Sequence, residues 1–257
     1  MSTRMTDEQL QYHIDEAIRE TEQLLSEWRI SINLLDKKRA QLLSYWIKTY
    51  TDMLRRESEF NPSSIPRLSR RQIVNVDFGF RIGSELGGLH YAVVLDKNNR
   101  MSSNTVTVLP LGSQKDGHKD TLYRISLLDG IYSVVERKVN VHLGEAQRLI
   151  LSLTNDRELQ AMPETERIQE VAQRYTAAKK KLDMAQASLS KMKKLKYGSI
   201  ANISQITTIS KMRIKEPVTP HDVLFGVKVT PADMERIDDA IKELYIPKGK
   251  ISQVQDS

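Results

Sequence analysis

Gln72 to Ser113, QIVNVDFGFRIGSELGGLHYAVVLDKNNRMSSNTVTVLPLGS, sets three strand-like segments around one glycine-rich polar loop. Val74, Val76 and Phe78 alternate with Asn75 and Asp77, as a half-buried strand requires. Tyr91–Leu95 and Thr105–Leu111 are short runs rich in β-branched residues, bounded by Gly, Asn and Ser. Three strands with short connections predict an antiparallel meander. The polar loop between the first two is where chemistry is expected.

Helical patterns flank this core. Thr6-Asp7-Glu8-Gln9 is a capping-box start, and Leu10, Ile14, Ala17, Thr21, Leu24 and Trp28 follow on one stripe. A second stripe at Leu43, Ile47, Tyr50 and Leu54 predicts an antiparallel hairpin over residues 1–60, with its joint at Asn33–Asp36. Asn61-Pro62-Ser63-Ser64-Ile65-Pro66 ends helical structure and leads into the strands, because each proline biases its predecessor away from the helical region. Thr121–Leu127 and Val139–Leu143 are expected as further strands, closing a first β part over 68–142. Residues 143–196 read as helical, with a break near Asn155–Pro163. Strand chemistry resumes at Ser199. Thr230-Pro231 is an N-cap followed by proline at the first helical position, so the second β part ends in a helix within 197–250.

Composition limits the classes. The 257 residues are 39% hydrophobic and 6% aromatic, which suits an ordinary folded core. A net charge of +6 and an isoelectric point near 9.3 favour an anionic partner. With no cysteine, disulfides, thiolate nucleophiles and cysteine-ligated metals are excluded. The beginning MSTRMTDEQLQYHIDE is acidic where a signal peptide needs an apolar core, and no apolar run approaches a membrane span. A cytoplasmic protein is the expectation. No H-x-x-x-H spacing or acidic cluster suggests a metal site, and no cofactor is expected.

The order V-D-F, G-S-E-L-G-G, A-V-V-L, N-x-x-x-S and T-V-x-P-L between Val76 and Leu111 resembles the MazF/PemK family, the toxins of bacterial toxin–antitoxin pairs. Downstream, Ser199–Ile214 is similar to the family's late S-x-I-x-x-x-Q-I-x-T-I-x-K-x-R-L segment, and Thr230–Tyr245 to its closing helix. The resemblance implies an α+β fold, a small SH3-like antiparallel β-barrel with a C-terminal helix. Here that barrel would carry the N-terminal hairpin and the helical insertion as additions. It further implies a homodimer, an antitoxin protein as a possible partner, and metal-independent cleavage of single-stranded RNA.

Such cleavage needs a base for a ribose 2′-hydroxyl, a cation or donor for the crowded phosphorane, and an acid for the leaving 5′-oxygen. The family assigns this work to the glutamate of G-S-E, an arginine after the glycines and a hydroxyl after the P-L strand. Glu85 matches the first. His90 occupies the arginine position, followed by Tyr91 where the family usually has proline. Gly112 occupies the hydroxyl position, with Ser113 one residue along. Histidine is a proton shuttle, whereas arginine is a permanent, planar clamp for phosphate. His90 is therefore expected as acid or base, Ser113 as the shifted hydroxyl, and Arg81, Arg100 or Lys115 as the cation. The bland reading has Glu85 bonding loop amides, His90 as a half-buried structural residue and Ser113 as a turn residue. Arg174 to Lys196 is the densest basic block, and Lys191, Lys193, Lys194 and Lys196 are expected to contact RNA phosphates; its alternative is a solvated helix face. Two other functions stay open. One is a catalytically silent protein of this fold that binds nucleic acid or protein, and the other is a CcdB-like protein that binds DNA gyrase.

Overall fold

A computed structural model describes residues 5–114, 119–127, 131–194 and 198–247. Its contacts divide the chain into two units, the first made of residues up to Phe60 with Gly79–Ile82, the second of Asn61–Phe78 and Gly83 onward.

The first unit is a helical hairpin, α1 (Asp7–Ile30) and α2 (Leu34–Arg56). The capping box forms: Thr6 Oγ1 accepts from the Gln9 amide at 3.2 Å and Gln9 Oε1 from the Thr6 amide at 3.0 Å. The joint is shorter and earlier than expected, Ser31–Asn33, because Asn33 Oδ1 accepts from the Leu35 amide and so starts α2 at Leu34. Met53 is the one buried side chain among the described residues of the two helices. Gly79–Ile82 adds Phe80 beside Trp28, ring centroids 6.3 Å apart. Gly79 itself has φ +75°, and a Cβ there would stand 2.5 Å from the Trp46 ring.

The second unit is built on one antiparallel sheet. Its strands are β1 (Ile73–Asp77), β2 (Leu89–Val94), β3 (Thr105–Ser113), β4 (Arg124–Ser126), β5 (Ser199–Asn202), β6 (Thr207–Ser210) and β7 (Ile214–Glu216). The order is β4-β5-β3-β2-β1-β7, with β6 also on β3. The meander of β1, β2 and β3 is as expected. The closed barrel implied by the resemblance is not formed among the described residues, since the end strands β4 and β7 do not pair with each other. Each has three residues, and Pro217 after β7 has no amide to extend a ladder. Both faces of the central strands are buried: Ile73, Val93, Leu109, Leu111 and Ala201 point into one core, while Val74, Val76, Ala92, Val94 and Val108 are equally inaccessible.

The helical segment begins well before residue 143. α3 spans Ile131–Asn155 and absorbs Val139–Leu143, which β propensity marks as a strand. Helical periodicity wins there because Val135, Val139 and Ala146 recur on one buried stripe. Lys138, on the same side, donates to the carbonyls of Asp222, Val223 and Phe225 at 2.9–3.2 Å. Burial pushes its ammonium below the usual lysine range, partly offset by Glu216 and Asp222. α4 (Arg157–Ala161), capped by Asp156, makes the expected break. α5 (Glu164–Lys194) then returns along α3, with Lys181 paired to Glu145 and Arg174 to Asp156. α6 (Pro231–Tyr245) closes the fold with Thr230 as N-cap and Met234, Ile237 and Ala240 buried. Among the described residues no helix is long and apolar enough to cross a membrane.

Gly79→Ala is expected to destabilise the first unit by about 2–5 kcal/mol, the left-handed penalty of an L-residue plus overpacking against Trp46. The two tryptophans, Trp28 and Trp46, both lie in this unit, so urea unfolding followed by their fluorescence reads it directly. An unchanged midpoint would contradict the packing described.

Candidate functional site

His90 is the second residue of β2. It sits opposite Val76 of β1, and the β2–β3 ladder, with Ala92 opposite Pro110, places His90 opposite Gly112 when continued by two residues. Cross-strand partners share a face, so the imidazole lies on the Gly112 side of the sheet. The ring is half-buried, and its Nδ1 is 3.2 Å from the Leu111 carbonyl oxygen. A carbonyl only accepts, so Nδ1 carries the hydrogen in this bond. In the neutral ring Nε2 is then the basic nitrogen, and protonation there makes the ring an acid.

On the other edge of β3, Leu111 faces Ala201 and Gly112 faces Ile200. Asn202 follows on the Gly112 side by the alternation of the strand. Its Nδ2 donates weakly to the Pro110 carbonyl at 3.4 Å and stands 3.3 Å from where a Gly112 Cβ would be. A buried amide donor thus occupies the space beside the position at which the resemblance implies a hydroxyl. Sequence reading missed Asn202 because its chemistry appears only once β5 is laid against β3.

Ser113 is not on this face. It is the exposed last residue of β3, opposite Ser199, and a one-residue shift along a strand turns the side chain to the other side. The structure therefore brings together His90, Gly112 and Asn202 and sets Ser113 apart.

Glu85 lies exposed in the loop between Gly83 and Gly88, both with left-handed φ. The Gln205 side chain grips this loop on either side of Glu85: its Oε1 accepts from the Leu86 amide at 3.2 Å and its Nε2 donates to the Ser84 carbonyl at 3.4 Å. Gln205 ends a short 3₁₀ turn, Ile203–Gln205. Ile203 there is fully buried and accepts from the Tyr245 hydroxyl of α6 at 3.1 Å. Residue 205 belongs to the late family-like segment, but its role as a clamp on the glutamate loop could not be read from spacing.

The cations separate. Arg100 is exposed in the β2–β3 connection, at the far end of β2 from His90; the strand from His90 to Val94 spans about 13 Å at 3.3 Å per residue. That connection is held by buried Lys211, whose Nζ donates to the carbonyls of Arg100 and Met101. Arg81 falls within Gly79–Ile82 of the first unit. Lys115 and Lys196 lie outside the described residues, as do the side chains of Lys191, Lys193 and Lys194 in the last turn of α5. Earlier in the basic block, Arg174 and Lys181 are tied to carboxylates, while Lys179 and Lys180 are exposed. Tyr91, next to His90, points into the core. Burial and the Glu216 carboxylate push its phenol up to about 12, so it stays protonated and fills space.

Residues 69–192 match the family of PemK-like, MazF-like toxins of type II toxin–antitoxin systems. That stretch, which runs from the residues before β1 into the last turns of α5, is what the chain shares with such toxins. Ser199–Ile214 lies beyond the matched residues and joins them through the pairing of β5 and β6 with β3. No curated protein matches the chain.

Gln205→Ala removes the acceptor for the Leu86 amide. It also removes the donor to the Ser84 carbonyl; with each bond worth about 1 kcal/mol, exchange of the Leu86 amide is expected to speed up by roughly five- to thirtyfold. Exchange in β2 and β3 should not change. Equal protection of the loop in both proteins would show that Gln205 does not hold it.

Proposed function

We propose that this chain is a toxin that cuts single-stranded RNA by transesterification, with its site on the His90–Gly112–Asn202 face of the sheet and at the Glu85 loop. The observation that carries the reading is the fixed tautomer of His90 in a PemK/MazF-like sequence: an imidazole anchored through Nδ1 on Leu111, with Nε2 left to move a proton. Glu85 and His90 divide the two proton transfers. One takes the proton of the 2′-hydroxyl as its oxygen attacks phosphorus; the other protonates the departing 5′-oxygen. The products are a 2′,3′-cyclic phosphate and a 5′-hydroxyl. The Asn202 amide donates to a phosphorane oxygen in the space where relatives place a hydroxyl, and Gln205 is a positioning residue for Glu85. No metal is required in this scheme.

The wider reading follows the same family. The sheet, interrupted by the helical insertion, takes the place of the family's barrel in a homodimer, and an antitoxin protein is the natural partner. Lys191, Lys193, Lys194 and Lys196 extend the RNA track along the end of α5. Arg81 and Lys115 are the further cations assigned to RNA phosphates, and Arg100 contacts RNA at the other end of the β2–β3 pair. Ser113, on the other face of β3, is assigned no part in the proton transfers.

Purified protein incubated with a mixed RNA pool and EDTA is expected to give cyclic phosphate ends. His90→Ala should slow the chemical step by roughly 10²- to 10⁴-fold with RNA affinity nearly unchanged. His90→Arg, which restores a cation but has no nitrogen to take up and release the proton, should also stay slow. Asn202→Ala should cost more than tenfold, on the scale of a lost oxyanion donor, whereas Ser113→Ala should change the rate less than threefold. A His90→Arg protein as fast as the parent would make the histidine a weakened clamp. Parent protein without any cleavage, with metal absent or present, would favour the binding-protein reading instead.

A further inference from the structure

The two helices of the first unit leave between them an open groove of about 940 Å³. Ile18, Thr21 and Leu25 of α1 and Ala40, Ser44 and Ile47 of α2 line it. Ile18 is 60% exposed, and Leu10 and Ile14 further along the same stripe are 50% and 44% exposed. A two-helix layer covers only the inward side of each apolar stripe, so this seam stays wet until another layer is laid on it.

The charges say which layer. α1 carries Asp7, Glu8, Asp15, Glu16, Glu20, Glu22 and Glu27 against only Arg19 and Arg29. α2 is the opposite, with Lys37, Lys38, Arg39, Lys48, Arg55 and Arg56 against Asp36 and Asp52. A partner of one sign would satisfy one helix and be repelled by the other. A second copy of the hairpin, turned over about a twofold axis parallel to the helices, lays each acidic α1 antiparallel on the basic α2 of its mate. A twofold axis across the helices would instead stack α1 on α1 and α2 on α2, like charge on like.

We propose that the groove is closed by the same groove of a second copy, giving an antiparallel four-helix bundle in which α1 packs on the partner's α2. The groove is lined by the hairpin helices, and the proposal is independent of the catalytic reading. Thr21 and Ser44 stand at the same height of the hairpin, counted from the Ser31–Asn33 joint, and in this arrangement they face each other across the copies.

The chain has no cysteine, so single thiols report cleanly. Among the described residues, the Thr21 and Ser44 hydroxyls bond to carbonyls of their own helix, Ala17 and Ala40, both at 2.8 Å, so cysteine fits either place. Full-length Thr21→Cys and Ser44→Cys chains with different tags, produced together in one cell, would be treated with a short bis-maleimide. The mixed Thr21–Ser44 product is expected several-fold above either same-site product. Ile18→Glu, at an exposed position that the hairpin itself does not need, should cut it at least tenfold, and Lys37→Glu at the groove rim should also reduce it. Same-site products equal to or above the mixed one would overturn the proposed axis. Absence of any product would overturn the second copy as occupant; a groove then shielded from a monofunctional maleimide would assign it to another partner or another segment of the chain.

Discussion

Three strands hydrogen-bond to β3, and the second unit depends on that fact. β2 takes one edge; the other is divided between β6 at Thr105–Val108 and β5 at Leu111–Ser113. β5 and β6 come from beyond the helical insertion, so the sheet forms only when distant parts of the chain meet. The insertion lowers that cost by folding back on itself. α5 returns along α3, Glu145–Lys181 and Asp156–Arg174 mark its antiparallel register, and the ends of the excursion are delivered close together. Lys138 then fastens α3 to the segment before α6.

The same pairing composes the candidate site. His90 arrives on β2, Gly112 on β3 and Asn202 on β5; the register of two ladders puts all three on one face. Gly112 is then more than a lost hydroxyl. Its missing side chain makes room for the Asn202 amide, which a Cβ at 3.3 Å would crowd. Gln205, three residues after Asn202, reaches the backbone on both sides of Glu85. One short stretch beyond the insertion thus supplies both a donor and a brace for the site.

Local chemistry was legible in the sequence. The capping box at Thr6, the proline start of α6 and the β1–β3 meander form where residue types and periods place them. What escaped depends on neighbours distant in sequence. Val139–Leu143 has strand composition, yet the stripe through Val135, Val139 and Ala146 needs α5 and the core beside it to prevail. Ser113 is adjacent to Gly112 in sequence, but strand alternation puts its side chain on the other face. Arg100 follows His90 closely in sequence, while the intervening strand carries it to the far end of the sheet. Asn202 and Gln205 show no signal of their role until β5 lies on β3.

The central claim is that this face of the sheet uses the 2′-hydroxyl of RNA as the nucleophile. Single-turnover cleavage of an RNA carrying one 2′-deoxy substitution at the cut nucleotide, compared with its all-ribose parent, tests it most directly. The account predicts that both bind alike and that the substituted strand is not cut at that position. Cutting of the two strands at equal rates would mean that water attacks phosphorus directly, and the assignment of proton transfers to Glu85 and His90 at the 2′-oxygen would be wrong.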